Sequence, residues 1–371
     1  MRLNTIATGA GLAALVLSLA GLSAPTAAQD LAAAGALVHE HQSLPKFVPP
    51  GQPFDARKVM AGKKILTIPV SSANPFTKNI DLAMIAVAKQ IGFEMVEWEN
   101  QARPTQWVQG IEYAINNRFD AIDMLGGTDP AVLGPQVLQA KKAGVKIFVS
   151  HLYDTNQTPD PNVDLSLPIP YHEVGRILAA WVTMQTQGKA NVLVIGSDEI
   201  VPTKSYVKGF TEGLAKMCGP GCKSSYVNAP VPEWATKIQP SVQSALLADS
   251  TINYIVPIYD SMSQFVIPAV RITGKHDAVK IATFNGTPFV IDAVRNGDVE
   301  MDIGESLGWI GRSILDGYMR RFAGLPDDKE LYVPLYIFDK SNAASAGTPA
   351  GYDQGYGNEH VAGYEKLWEL K

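Results

Sequence analysis

Apolar and polar positions alternate in a regular block pattern from residue 64 onward. The apolar run KILTIPV at 64–70 is typical of a fully buried strand. Ile80, Met84, Val87 and Ile91 then fall on one face of a helix, and Gly92 ends it. The same order continues to residue 150. Because parallel strands need crossover connections, the pattern predicts a parallel sheet covered by helices on both faces.

A long proline-rich segment after residue 150 interrupts this rhythm, which then resumes. Apolar runs at 191–196, 252–256 and 279–284 predict further strands, as does the segment SSYVN at 224–228, with helical patterns between them. One more strand follows the turn at Asn296 and Gly297, and a helix is predicted over 307–322. The sequence therefore predicts two α/β lobes of similar build, each doubly wound around a parallel sheet.

The amino terminus has the pattern of an export signal. Arg2 precedes an apolar stretch at 9–22, and small residues follow up to Ala28, so cleavage is expected after Ala28. A membrane anchor is the alternative, but the apolar stretch is short for a bilayer span. No cysteine lies near the cleavage site, which argues against a lipid anchor. Residues 29–61 are rich in proline and glycine and are expected to form an extension on the surface.

Composition narrows the possible partners. The formal net charge of −5 becomes −6 once the single cation Arg2 is removed, and no dense Lys/Arg cluster exists, so a nucleic-acid partner is not expected. The two cysteines, Cys218 and Cys222, lie in CGPGC, and in an oxidising compartment a local disulfide is the leading interpretation. A zinc site or a redox pair would use other numbers or spacings of thiols.

Candidate ligand contacts follow the predicted strands, because open parallel sheets bind ligands beyond the carboxyl ends of their strands. Aromatic rings at these positions can stack on a sugar or another flat ligand, and amides can satisfy hydroxyl groups. Packing or solvent exposure is the alternative for each of them. No nucleophile elbow, phosphate-binding loop or metal-ligand spacing is present, so no catalytic residue, cofactor or metal is expected. The candidates are Asn74, Phe76, His151, Lys204, Trp234, Tyr259, Asp260, Asn285 and Glu305.

Several short segments, taken together, resemble a known family. They are ANPF, FDAIDM, KAGVKIFV, YVKGF, FNGTP and VRNGDVEMDIGE. From about residue 63 to 334 the chain resembles the type I periplasmic substrate-binding proteins of ABC importers, in the ribose-binding-protein-like group. The resemblance implies a monomeric periplasmic receptor that delivers a sugar, a polyol or a related small molecule to an ABC transporter permease.

It also implies two lobes joined by a three-strand hinge near 161–165, 305–306 and 334–338. The expected first lobe is 62–165 plus 306–333, and the expected second lobe is 166–305 plus 334–371.

The resemblance also assigns ligand contacts, with departures from the ribose-type pattern. Asn74 and Phe76 match two sugar contacts, and Trp234 matches a further aromatic contact. Six contacts are replaced. Thr77 stands for a second ring, His151-Leu152 for an Asp-Arg pair, Lys204 for an arginine, Tyr259-Asp260 for Asn-Asp, Asn285 for an aspartate and Glu305 for a glutamine.

Because the Asp-Arg pair is absent, a plain aldopentose is not the expected ligand. Glu305 beside aromatic rings leaves room for a polyol, a modified sugar or a cationic ligand.

Two other classes of function fit the same pattern. One is a receptor that reports its ligand state to a chemosensory or kinase partner. The other is an exported α/β enzyme acting on a small polar substrate. Consumption of the ligand would indicate the enzyme, and binding without turnover would indicate a receptor.

Overall fold

The structure is a computed structural model that describes Met1, residues 27–127 and residues 129–371. The first lobe is built around a five-stranded sheet in which every pairing is parallel, with strand order β2-β1-β3-β4-β5. Its strands are β1 (Lys64–Pro69), β2 (Glu94–Glu97), β3 (Ala121–Leu125), β4 (Lys146–Asp154) and β5 (Leu165–Ile169).

The second lobe repeats this topology. Its six-stranded sheet has the order β11-β10-β9-β8-β6-β7, so β6 to β10 follow the same winding as β1 to β5, and β11 adds an antiparallel edge. The strands are β6 (Asn191–Gly196), β7 (Lys223–Asn228), β8 (Tyr254–Pro257), β9 (Lys280–Asn285), β10 (Met301–Gly304) and β11 (Tyr336–Asp339). The predicted fold class, two doubly wound parallel-sheet lobes, is confirmed.

Helices cover both sheets, and they carry the apolar faces that the sequence pattern indicated. In the first half of the chain they are α1 (Ala27–Glu40), α2 (Ala56–Met60), α3 (Pro75–Ile91), α4 (Pro104–Asn116), α5 (Gly134–Lys142) and α6 (Tyr171–Gln185). In the second half they are α7 (Thr203–Met217), α8 (Trp234–Ala248), α9 (Ser263–Ile272), α10 (Pro288–Asn296), α11 (Leu307–Ala323) and α12 (Glu359–Leu367).

The turn between β1 and α3 shows how local sequence places the cleft residues. Asn74 is the N-cap of α3, and its side-chain oxygen accepts a hydrogen bond from the backbone N–H of Phe76 at 2.9 Å. Pro75 occupies the first helical position, where no backbone donor is needed. At the other end Gly92 adopts φ +103°, a left-handed cap that a side chain would strain. The Asn-Pro-Phe triplet therefore starts the helix and holds Phe76 at the strand end.

Residues 29–61 differ from the expectation of a surface extension. Helix α1 packs against α6 and α7 of the second lobe and buries Ala34 and Val38 completely. The chain then crosses to the first lobe, where α2 packs against α11 and α3. On the way Phe47 packs against Trp309 and Tyr364, with ring centroids 5.9 and 4.9 Å apart. Burial of these apolar side chains ties the segment to both lobes.

The end of the carboxyl-terminal segment also differs from its predicted place. Residues 334–371 were expected in the second lobe, and β11 does pair with β10 there, but α12 packs against α11 of the first lobe. Trp368 is buried there and donates its indole N–H to Asp316 at 2.7 Å. Strand β5 likewise belongs to the first sheet although the predicted boundary falls at residue 165. The remaining lobe boundaries stay a prediction.

Two further expectations concern the termini and the cysteines. The predicted signal peptide, residues 1–28, lies almost wholly outside the described residues. No helix in the described ranges is long and apolar enough to cross a bilayer. Cys218 and Cys222 lie side by side, with Cα atoms 5.7 Å apart, after the end of α7. This separation suits a disulfide, which stays a prediction.

Candidate ligand-binding site

A small enclosed cavity lies between the two lobes at the carboxyl ends of their strands. The centre of a water-sized sphere can move within about 20 Å³ of this cavity, which is room for one or two water molecules. Its walls come from both lobes, so the structure represents a closed cleft. The lining residues are Val70, Asn74, Phe76, Gly126, His151, Tyr171, Ile200, Pro202, Val231, Trp234, Tyr259, Ser261 and Asn285.

Aromatic rings form a large part of this wall. Phe76 is 6% exposed, and its ring meets the imidazole of His151 edge-on, with centroids 4.8 Å apart. Tyr171 packs edge-on against the other side of His151, at 5.5 Å. A ring face held rigidly at a cavity wall suits the C–H face of a sugar or polyol, because it gains apolar contact without presenting an unsatisfied polar group.

A bulge in β4 directs His151 into the cleft. The register of β4 against β5 shifts between Ser150 and Asp154, and His151 adopts φ +53°. Such irregularities re-aim side chains at the ends of sheets, and histidine tolerates the left-handed region better than most residues. The Asp-Arg pair of the ribose-type pattern is thus replaced by a ring that faces the ligand space.

Both imidazole nitrogens of His151 are engaged by protein groups. Nε2 lies 2.8 Å from Oε2 of Glu305, and Nδ1 lies 2.6 Å from the Tyr171 hydroxyl oxygen. Glu305 follows β10 of the second lobe, so the His151–Glu305 contact joins the lobes across the cleft. Burial raises the pKa of Tyr171 well above its usual range, which keeps its hydroxyl protonated. His151 therefore presents its ring, and no free hydrogen-bonding atom, to a ligand.

Polar groups that are free to bind a ligand are few. Asn285, at the end of β9, is 2% exposed and has φ +148°, an unusual value for a residue with a side chain. Its Nδ2 has no hydrogen-bond partner among the described residues. The Ser261 hydroxyl donates to Oδ1 of Asn74 at 3.1 Å, a second contact between the lobes. A buried donor without a partner is costly, and a ligand oxygen would satisfy it.

Two more predicted aromatic residues lie on the wall and are also held by the protein. Trp234 starts α8 and donates its indole N–H to Ser197 Oγ and to the Ala229 carbonyl, both at 3.0 Å. The Tyr259 hydroxyl lies 2.8 Å from that of Thr203, and burial raises the pKa of Tyr259. Both rings can touch a ligand, and both also stabilise the second lobe.

Four predicted site residues do not line the cavity. Thr77 is buried and donates its hydroxyl to the Ser71 carbonyl at 3.0 Å. Asp260 is fully buried and accepts hydrogen bonds from the backbone N–H and the hydroxyl of Thr287, at 2.6 and 2.7 Å. It shapes the loops after β8 and β9, and burial raises its pKa.

The other two are Lys204 and Glu305. Lys204 is exposed on α7, one residue beyond the buried Thr203, whose hydroxyl lies 2.8 Å from that of Tyr259. The expected contact by Lys204 is not present in this closed form. Glu305 is 1% exposed and contacts His151, so it affects the cavity wall by holding the His151 ring in position. Its Oε1 has no partner among the described residues.

Several lining residues were not predicted. Ile200, Pro202 and Val231 come from loops after β6 and β7, and Ser261 follows β8. Tyr171 begins α6 after the proline-rich segment, and its position as the first helical residue was the only signal that could have indicated it. None of the described lining residues is Lys or Arg, so the cavity offers no cation for a phosphate or carboxylate.

Comparisons with known proteins agree with this architecture. Residues 65–320 match the periplasmic binding protein domain. Among solved structures the fold is similar to a 5-methylthioribose transporter solute-binding protein of Thermotoga lettingae in complex with 5-methylthioribose, with TM-score 0.70 and 18% identity over 85% of this chain and 100% of that one.

It is also similar to an ABC transporter solute-binding protein of Agrobacterium vitis with bound allitol, with TM-score 0.67 and 19% identity over 76% and 97% of the two chains. A carbohydrate transporter of Acidothermus cellulolyticus in complex with myo-inositol gives TM-score 0.65 and 19% identity over 80% and 100%. No curated protein sequence matches the chain. At these identities the solved structures establish the fold alone.

The family match covers more than half of the chain, from β1 to the last turn of α11, and the twin-lobe topology and interlobe cavity agree with it. The chain belongs to the periplasmic binding protein family, as the resemblance of its strand-end motifs indicated.

Proposed function

We propose that the protein is the solute receptor of an ABC importer and binds a small, uncharged, hydroxyl-bearing molecule between its lobes. The observation that supports this most is the buried Asn285 amide, whose Nδ2 lacks a partner among the described residues, on a wall made largely of aromatic and aliphatic side chains. A hydroxyl oxygen would accept from Nδ2 while the neighbouring C–H face packs on Phe76. The solved relatives with bound allitol and myo-inositol fit this class of ligand.

The chemistry of the site disfavours anionic ligands. A carboxylate or phosphate would enter a cavity whose described walls carry no Lys or Arg, and it would lie close to Glu305. Transfer of an unpaired anion into such a site is strongly unfavourable. Uncharged sugars and polyols face no such penalty.

Ligand binding is expected to stabilise the closed form. In the closed structure the lobes meet through the His151–Glu305 contact at 2.8 Å and the Ser261–Asn74 contact at 3.1 Å. A ligand that contacts both walls gains that free energy only when the lobes close around it, and it therefore shifts the population towards a closed form with a cleft wide enough for the ligand. A permease can recognise the paired lobe surfaces that closure creates.

Export to the periplasm, a monomeric state and the Cys218–Cys222 disulfide belong to the same proposal. The signal-like amino terminus and the family membership support export, and the adjacent thiols suit an oxidising compartment. A periplasmic receptor needs no catalytic group.

A thermal-shift screen tests the proposal. Allitol, myo-inositol, D-allose, D-ribose and 5-methylthioribose are the neutral probes, and D-ribose 5-phosphate and D-gluconate are the anionic ones. At a hundred times its Kd, a ligand that binds only the native state adds about 2.7 kcal/mol to stability, which raises the midpoint by several degrees.

At least one neutral probe is expected to produce this rise, and no anionic probe is. Recovery of the neutral ligand unchanged after incubation would separate a receptor from an enzyme. A rise with the anionic probes alone would contradict the proposal.

A further inference from the structure

A second, larger cavity adjoins the small one at the mouth of the cleft. Its volume, measured in the same way, is about 590 Å³, compared with about 20 Å³ for the inner cavity. Val70, Ile200 and Val231 line both, so the two spaces share a wall. We call this second space the outer chamber. It lies between the lobes and beside the ligand site, separated from it by these shared side chains.

The walls of the outer chamber are apolar and come from both lobes. Pro104, Trp107 and Val132 line it from the first lobe, and Pro230, Val231 and Pro232 line it from the second. Val132 is 69% exposed, so an apolar side chain stands open to this space. The indole N–H of Trp107 donates to Asn100 Oδ1 at 3.1 Å, which fixes the ring in place. Such a surface favours contact with apolar groups.

Acidic residues at the rim of the outer chamber further restrict the kind of substituent that it can bind. Asp129, Asp198 and Glu199 line the chamber, and no Lys or Arg does so among the described residues. Each carboxylate accepts a hydrogen bond from a protein group. Asp129 accepts from the Ala131 N–H of its own loop at 2.9 Å, and Glu199 accepts from the Val231 N–H of the loop after β7 at 2.6 Å. Asp198 accepts from the Tyr226 hydroxyl at 2.5 Å. The rim therefore repels anionic substituents.

We infer that the outer chamber is a second subsite, which takes an uncharged apolar substituent of a ligand whose hydroxyl-bearing head contacts the walls of the inner cavity once the lobes part enough to admit it. The inference rests on the proposed function and adds a class of ligand to it: a sugar or polyol that carries an alkyl, thioether or aryl group. The bare head would leave the apolar walls of the chamber without contact when the cleft closes. A substituent that passes Val70 and Ile200 contacts both lobes and strengthens closure.

Matched probes test this inference by isothermal titration calorimetry. The pairs are D-ribose with 5-methylthioribose, and methyl with phenyl β-D-glucopyranoside. Each buried methylene adds about a factor of four in affinity, so a methylthio or phenyl group is expected to lower Kd at least roughly tenfold in one of the pairs. A charged substituent, as in D-ribose 5-phosphate, is expected to abolish binding.

Replacement of Trp107 tests whether the gain in affinity arises in the outer chamber. Trp107→Ala is expected to remove most of the tenfold gain while the affinity for the unsubstituted partner changes less than about twofold. Tyr113→Ala is the matched control, because Tyr113 lies on the same helix α4, is 39% exposed and does not line the chamber. It is expected to keep the full gain. Circular dichroism and thermal unfolding of both variants show whether the fold is retained.

The outcomes separate this inference from the proposed function. Equal Kd values within both pairs would overturn the inference, as would a gain that persists in Trp107→Ala. Binding of unsubstituted sugars or polyols with rejection of both substituted probes would overturn it too, while the proposed function stands. Failure of every neutral probe to bind would overturn both.

Discussion

Replacement of Phe76 tests the assignment of the inner cavity most directly. The ring is 6% exposed, faces the cavity and packs edge-on against His151 at 4.8 Å. Phe76→Leu keeps an apolar side chain of similar volume, so the fold is expected to lose less than about 1.5 kcal/mol. The Phe76→Leu substitution removes the flat ring face on which a sugar or polyol packs.

The expected loss of affinity follows from the area of that face. About 50 Å² of apolar contact at roughly 25 cal/mol per Å² contributes about 1.2 kcal/mol, and the geometry of a ring contact adds about 0.5–1.5 kcal/mol. A total of about 2 kcal/mol corresponds to a roughly 30-fold rise in Kd. Phe76→Ala is expected to bind at least as weakly and also to lower stability by about 3 kcal/mol, because a cavity remains.

The assay is isothermal titration calorimetry with whichever neutral probe gives the largest thermal shift, together with thermal unfolding without ligand. Phe119→Leu is the matched control, since Phe119 is 3% exposed in the same lobe, precedes β3 and lies at the opposite edge of the sheet from the cleft. It is expected to cost similar stability and no affinity. An unchanged Kd in Phe76→Leu would refute the placement of the ligand against this ring.

Three other outcomes are expected. Glu305→Gln should raise Kd about tenfold without altering the fold, because a charge-assisted bond of about 1.5 kcal/mol to His151 is lost. Titration calorimetry measures the change in Kd. An unchanged Kd would contradict the role of Glu305 in joining the lobes. Burial raises the pKa of Asp123 from 3.8 to about 6, so the folded state binds this proton more tightly and the free energy of unfolding falls by on the order of 3 kcal/mol as pH rises from about 4 to 6. Urea unfolding of Asp123→Asn should show a correspondingly smaller fall, and an unchanged pH dependence would contradict this assignment. Protein purified from the periplasm and denatured should expose no reactive thiol at Cys218 or Cys222 until a reductant is added, and labelling before reduction would exclude the disulfide.

The fold was predictable because its signals are local and repeated. Each buried strand is an apolar run, each covering helix has one apolar face, and glycines such as Gly92 and Gly297 end helices in the left-handed conformation. Parallel pairing follows from the alternation itself, and both sheets have the predicted winding. Local pattern and global topology agree throughout the core.

The site was predictable only where it depends on strand ends. Asn74, Phe76, His151 and Asn285 lie on the cavity wall because they follow parallel strands. Lys204 was misplaced by one helical position: successive helix residues differ by about 100°, so the side chain after Thr203 points to solvent. Loop residues such as Ile200 have no periodicity that could identify them.

The terminal segments were hard to predict for a different reason. Their contacts join residues that lie far apart in the sequence, such as Phe47 with Tyr364, or Trp368 with Asp316. The apolar run LAAAGALV at 31–38 forms most of α1 but does not show which surface it covers, and proline and glycine in 41–53 suggested a solvated extension. Isolated aromatic residues, each of which fills one gap in a preformed surface, carry this attachment.

The change from Asp-Arg to His151-Leu152 alters the hydrogen-bonding capacity of the inner cavity. In the ribose-type pattern that pair grips sugar hydroxyls, whereas here Leu152 is completely buried and both nitrogens of His151 bind protein groups. The wall thus loses ligand hydrogen bonds and gains apolar ring surface next to Phe76. A fully hydroxylated ligand would have fewer partners in such a cleft, and each unmet hydroxyl would cost free energy. A ligand with one apolar end avoids that cost, because its apolar group can enter the outer chamber while its hydroxyls reach Asn285.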